Sequence, residues 1–182
     1  MYKILVVCTA NRCRSPMGEV LLHAALERRG ISAIVRSAGF HESGIAADPY
    51  SRAAVTQRGL SLDSHRSSAM VRAVAEGADL ILCMAAEHVQ QVVATDPGAW
   101  SKTFTLREFV SRSETRRPEP DMSLPAWIVR LHDGRVARDL LRTGKGLDIA
   151  DPIGQNRQRF ERCCAEIESL CESAADLIAL AN

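Results

Sequence analysis

Near the start of the chain, Cys8-Thr9-Ala10-Asn11-Arg12-Cys13-Arg14-Ser15 holds a thiol and a guanidinium separated by five residues. The run before it, Tyr2 to Val7, is β-branched and nearly all apolar, as a buried parallel strand is. Ser15 followed by Pro16 reads as a helix start, a hydroxyl N-cap and then proline at the first helical position, where its missing N–H costs nothing. Between strand and helix the backbone must turn tightly, which gathers the N–H groups of Thr9, Ala10, Asn11, Arg12, Cys13, Arg14 and Ser15 at the positive end of the helix. That is an anion nest. Arg14 adds a planar two-pronged donor suited to a phosphate-like oxyanion and stays charged at any working pH. Cys8, on the strand edge, faces the same amides, and such a field favours thiolate over thiol. A nucleophile and the anion it would attack thus share one place. Asn11 suits the left-handed position that such a turn contains.

The composition narrows what else the chain could do. With 182 residues and a net charge of +1, one domain with a sizeable core is expected, with no bulk electrostatic case for a nucleic-acid or membrane partner. Arg112, Arg116 and Arg117 are diluted by Glu114, Glu119 and Asp121 and read as a solvated loop. The opening residues form a strand too short for a signal peptide, and no run is long enough to span a bilayer. Six cysteines without a signal sequence point to a reducing cytoplasm rather than a disulfide framework. No Cys-x-x-Cys pair is present and the five histidines are scattered, so no metal and no cofactor is expected.

The elements that must position the loop follow from periodicity. Pro16 to Arg29 is a helix with Met17, Val20, Leu21 and Ala24 on one face, stopped by Gly30. Ile31 to Arg36 is a second strand leading into Ser37-Ala38-Gly39, and strand C-termini in such a sheet form the ligand edge, which brings Ser37 toward Cys8. Phe40 to Asp48 is a loop at the pocket rim, and Pro49 opens a helix that Gly59 ends. Ala78 to Met84 is a third strand with Cys83 as a small buried hydrophobe. Ala85 to Ala94 is helical, and Thr103 to Thr105 is a fourth strand leading into Leu106 to Val110. Four strands alternating with helices give an α/β fold with an open, parallel, doubly wound sheet. Residues 111 to 124 read as an irregular excursion, followed by helical pieces at Pro125 to Leu131 and Val136 to Leu141, with Trp127, Ile128 and Leu131 packing into the core. A last helix carries the stripe Phe160, Cys164, Ile167, Cys171, Ala174 and Ile178, which packs back on the sheet. Cys163, Cys164 and Cys171 are then core thiols.

Cys-x-x-Asn-x-Cys-Arg-Ser-Pro directly after the first strand resembles the low-molecular-weight protein tyrosine phosphatases and the arsenate reductases of the same fold. The similarity extends through Ser37-Ala38-Gly39, Asp48-Pro49, His65-Arg66, Ala78 to Leu82 with Met84, and Asp151-Pro152. It implies a phosphotyrosine protein phosphatase I-like sheet of order 2-1-3-4 with helices on both faces, one domain over residues 1–182, and an extended insertion at about 111–148. It further implies Cys8 as nucleophile, Arg14 and the loop amides as phosphate binders, Asp151 as general acid and base, and Asn11, Ser15, Ser37 and His65 as supports of the loop. Cys13 is implied to form a disulfide with Cys8 under oxidation. The implied partners are a phosphorylated protein carrying phosphotyrosine or a small phosphate ester, with phosphate-like oxyanions as inhibitors.

Three departures bear on the substrate. Ala10 stands where the family commonly has glycine. Ile153-Gly154 and His41 and Ser43 stand where phosphotyrosine-selective members carry aromatic rings, with Phe40 the only ring nearby. Arg12 replaces an apolar residue, or the threonine of phosphoarginine phosphatases; a guanidinium there should repel phosphoarginine and favour anionic groups flanking the phosphate. Two alternatives stay open. Arsenate reduction by an external small thiol would use the same Cys8, although of the two relay cysteines of thioredoxin-coupled enzymes only Cys83 has a counterpart. A non-catalytic phosphate-binding module is the other.

Overall fold

The computed structural model describes residues 1–136, 138 and 146–181. Four strands, β1 (Tyr2–Cys8), β2 (Ala33–Gly39), β3 (Leu80–Cys83) and β4 (Thr103–Thr105), form one parallel sheet in the order β2-β1-β3-β4. The helices are α1 (Arg14–Arg28), α2 (Pro49–Thr56), α3 (Arg72–Glu76), α4 (Ala86–Thr95), α5 (Leu106–Thr115), α6 (Leu124–His132) and α7 (Arg157–Ala179). Register pairs Cys8 with Gly39 and Val7 with Cys83, so the strands end together at the edge where open parallel sheets bind ligands.

Side chains alternate across a strand, and β1 is apolar on both sides. Ile4, Val6 and Cys8 join Leu80, Leu82 and Phe104 in a core shared with α1, α2, α5, α6 and α7, whereas Leu5 and Val7 join Ile81 and Cys83 under α3 and α4. The sheet is therefore covered on both faces. The α7 stripe is buried at every expected position, from Phe160 to Ile178. A Cβ on Gly18 would lie 2.7 Å from Met84 Cε and 3.0 Å from Val6 Cγ1, so α1 rests closely on the sheet.

Several local expectations are corrected. α1 begins at Arg14 with Cys13 at its N-cap and no side-chain cap, so Ser15 is free of that task. Its buried face is Met17, Leu21, Leu22, Ala25 and Leu26; Val20 and Ala24 sit at the margin. β2 is shifted toward Gly39. α5 continues past Val110 to Thr115, because Thr105 caps it by accepting from the Glu108 amide and Ser113 is buried along with Phe109 and Val110. The irregular stretch is thus shorter than residues 111 to 124. Trp127, Ile128 and Leu131 are buried in the larger core, with Trp127 edge-on to Phe109. The helical piece expected at Val136 to Leu141 lies outside the described residues, apart from 136 and 138.

Candidate active site

The turn after β1 is built on one buried side chain. Asn11 has φ 51°, the left-handed conformation its residue type tolerates. Its Nδ2 donates to Ser15 Oγ at 2.9 Å and Ser37 Oγ at 2.8 Å, and its Oδ1 accepts from the Ser68 amide at 2.8 Å. His65 Nε2 donates to the Asn11 carbonyl at 2.9 Å. Ser15, Ser37 and His65, named with Asn11 as supports of the loop, therefore all meet Asn11, as does Ser68, and the Glu19 carboxylate accepts from Ser37 Oγ behind them. Gly39 is required where β2 meets the loop: a Cβ there would lie 2.6 Å from the Asn11 nitrogen and 2.9 Å from the Thr9 oxygen.

Because Ser15 does not cap α1, its hydroxyl is available to the sulfur. Ser15 Oγ accepts from Asn11 and lies 2.9 Å from Cys8 Sγ and 3.4 Å from the Ala38 carbonyl, with its one proton shared between those two neighbours. Among the described residues, no amide from Thr9 to Arg14 donates to a protein acceptor, as expected of a nest that takes its partners from solution. A cleft of about 220 Å³ opens over this loop, lined by Cys8, Thr9, Ala10, Arg12, Cys13 and Arg14, and closed by His41, Asp151 and Ile153.

Arg14 is the floor. Its side chain is 4% exposed, with Nη1 on the Ile149 carbonyl at 3.1 Å and Nη2 on Thr9 Oγ1 at 3.1 Å and on the Asp151 carboxylate. Its Nε is buried and has no partner. Asp151, 37% exposed, sits above it on a loop fixed from two sides. Asp148 accepts from the Ala86 amide at 2.7 Å, and the Ile149 amide donates to the Met84 carbonyl at 2.8 Å.

The structure adds His88, which sequence reasoning left among the scattered histidines. It is fully buried, its Nε2 lies 2.9 Å from Thr9 Oγ1, and its ring stacks on Phe40. Burial, with Arg14 nearby, holds its pKa down at about 4. The signal that could have found it is its place at the start of α4, directly after the ligand end of β3. Phe40 is turned onto His88 and the second core, so the walls nearest Asp151 are His41 and Ile153.

The thiols separate sharply. Cys13 shares the cleft with Cys8, but burial, with Asp48 adding, pushes its pKa up to about 12. Burial likewise raises Cys83 well above the ordinary thiol range, Cys163 to about 12 and Cys164 to about 11, and raises Cys171 too. No helix of the described residues is long and apolar enough to cross a membrane, and no group of three potential metal ligands occurs among them.

A nucleophile-and-nest loop at the end of the central strand, in a 2-1-3-4 parallel sheet, defines a class of cysteine-dependent phosphoryl-binding proteins. Residues 3–123 match the model for the low molecular weight phosphotyrosine protein phosphatases, and the chain belongs to that family. A protein-arginine-phosphatase from Geobacillus stearothermophilus is 36% identical over 177 residues, 96% of this chain and 95% of its own. The low molecular weight protein-tyrosine-phosphatase Etp of Escherichia coli (strain K12) is 38% identical over 120 residues, 64% of this chain and 76% of its own. The solved arginine phosphatase YwlE with a phosphorylated active-site serine superposes with a TM-score of 0.74 at 28% identity, covering 96% of this chain and 93% of that one.

Proposed function

We propose that the protein is a phosphatase that hydrolyses phosphate monoesters, chiefly protein phosphotyrosine, through a cysteinyl-phosphate intermediate, with residues 1–182 as one domain and 111–148 an insertion in it. The observation that carries this is the buried, unpartnered Arg14 Nε beneath a cleft that has Cys8 Sγ at its base and Asp151 at its mouth. A phosphate dianion takes the nest amides and the free edge of Arg14, and its oxygens displace the Asp151 carboxylate from Nη2. Cys8 sulfur then bonds to phosphorus as the bond to the leaving oxygen breaks, and Asp151, which takes up a proton from solution once it has left Arg14, gives that proton to the leaving oxygen. In the second step water attacks phosphorus, Asp151 takes its proton, and the S–P bond breaks to release phosphate. The amides and Arg14 hold the charge on the equatorial oxygens, the main catalytic contribution in phosphoryl transfer. The Ser15 hydroxyl stabilises Cys8 as leaving group. The phosphorylated serine in the YwlE structure supports an intermediate on the nucleophile. Six free thiols support a cytoplasmic location.

A second substrate reading is protein phosphoarginine, because a relative spanning nearly the whole chain bears that name. Arg12 on the cleft wall opposes it, since a guanidinium there repels the guanidinium that carries the phosphate. The test is hydrolysis of an aryl phosphate, a phosphotyrosine peptide and phosphoarginine protein by wild type and Cys8→Ser near pH 6, with arsenate reduction by a small thiol assayed alongside. Wild type turns over the aryl ester and prefers phosphotyrosine to phosphoarginine, and Cys8→Ser loses at least about 10⁴-fold. Preference for phosphoarginine moves the substrate reading to the second class; arsenate reduction without ester hydrolysis overturns both.

A further inference from the structure

The cleft that holds Cys8 is bordered, across the Asp151-Pro152 segment, by a second one of about 320 Å³. Its walls are Asp151, Pro152 and Gln155 on the loop side and Arg159, Arg162 and Glu166 on α7. Asp151 is common to both clefts. The carboxylates lining the second cleft are already engaged: Asp151 with Arg14 and Glu166 with Arg107 at 2.8 Å. Arg159 and Arg162 have no ion-pair partner among the described residues, and both line this cleft. They stand three apart on one helix, where like charges face each other and an anion between them relieves the repulsion. In the lining of the first cleft, Arg12 has no ion pair among the described residues, and its Nε is buried without a hydrogen-bond partner among them.

We propose that Arg159 and Arg162 form a subsite for acidic side chains flanking the phosphorylated residue, so that the preferred substrate is a phosphorylated segment rich in aspartate and glutamate. The proposal rests on the phosphatase reading above. An extended chain advances about 3.5 Å per residue, so a segment whose phosphate lies on Arg14 carries its neighbours over the Asp151 rim into the second cleft. Each guanidinium there offers a planar fork that matches a carboxylate, while Arg12 meets acidic groups on the other side.

The test uses two phosphotyrosine peptides that differ only in having glutamate or glutamine beside the phosphoresidue, with an aryl phosphate too small to reach the second cleft. Wild type shows a lower KM for the acidic peptide, by about twofold to fivefold for each arginine engaged, and the preference shrinks as salt is raised. In Arg159→Gln/Arg162→Gln the preference falls to the part that Arg12 supplies, with kcat little changed and the aryl phosphate hydrolysed as by wild type. Equal KM values in wild type, or a preference undiminished by the double substitution, overturns the subsite. The same peptides made with a non-hydrolysable phosphonate and followed by fluorescence anisotropy separate the two claims. Absence of aryl phosphate hydrolysis then counts against the phosphatase reading, while the difference in phosphonate-peptide affinity still decides the subsite.

Discussion

Arg14 and Arg135 both bury their guanidinium groups, at 4% and 5% side-chain exposure, and the fold treats them in opposite ways. Arg135, just after α6, lies over the Phe104 ring at 4.4 Å and the Trp100 ring at 5.2 Å. It pairs with Glu108 at 2.9 Å and donates to the Trp100 carbonyl at 3.3 Å. Flat faces and a largely buried carboxylate enclose it, which is how a buried charge is made tolerable. Arg14 has two carbonyl-type or hydroxyl acceptors, a half-exposed carboxylate that can leave, and a bare Nε. The same chemical group is a rivet in one place and an unfilled socket in the other. A carboxylate partner exposed enough to leave, rather than burial of the guanidinium, marks which one does chemistry.

Matched substitutions turn that contrast into two measurements. Arg14→Lys keeps the charge but loses the planar fork, and kcat/KM on an aryl phosphate should fall by about 10²- to 10³-fold with only a small change in Tm. Arg135→Lys should do the reverse. A lysine cannot cover two rings and grip Glu108 together, so a loss of about 2 kcal/mol is expected, lowering Tm by roughly 4–8 °C in thermal unfolding while kcat/KM stays within about twofold of wild type. If both variants lost stability alone, Arg14 would be a second rivet and the phosphate-binding role would fail.

The contrast also sorts what the sequence disclosed from what it hid. Cys8, Asn11 and Arg14 could be read because the strand before them and the Ser-Pro after them constrain a short loop, and Asn is among the few residues suited to its left-handed position. The sheet-edge rule brought Ser37 toward Cys8, whereas its supporting role, the strand order and the places of His65 and Asp151 came from resemblance, since no local pattern links residues so far apart. Ser15 was misread as a cap: a serine before proline carries that signal, yet here its hydroxyl is drawn to Asn11 and Cys8 by the way the loop folds back on itself. Arg135 lies between the two helical pieces expected at Pro125 to Leu131 and Val136 to Leu141, where no pattern singles it out. Its meaning depends on Trp100, Phe104 and Glu108, which lie 27 or more residues earlier in the chain. The continuation of α5 to Thr115 was hidden for the same reason, as polar residues there are held by the buried Ser113 and its neighbours.

Each buried arginine has a histidine beside it, and these report on the two sites separately. His88 is held at about 4 by burial first and by the Arg14 charge second, and His132 is lowered from its ordinary value by burial and then by Arg135. Both are neutral in the folded protein where an unfolded histidine would begin to take a proton. Above about pH 6.5 neither state is protonated and the full stability is present. As pH falls from there toward 4, the unfolded chain gains a proton at His88 that the native one refuses, and stability drains by an amount on the order of 3 kcal/mol. His88→Asn removes that drain and should move acid unfolding to lower pH. The smallest effect is the most discriminating. An oxyanion bound on Arg14 offsets the charge that helps suppress His88, so added phosphate should raise the His88 titration midpoint in an NMR pH series while leaving that of His132 in place. Equal movement of both, or of neither, would mean that the Arg14 guanidinium does not receive the anion.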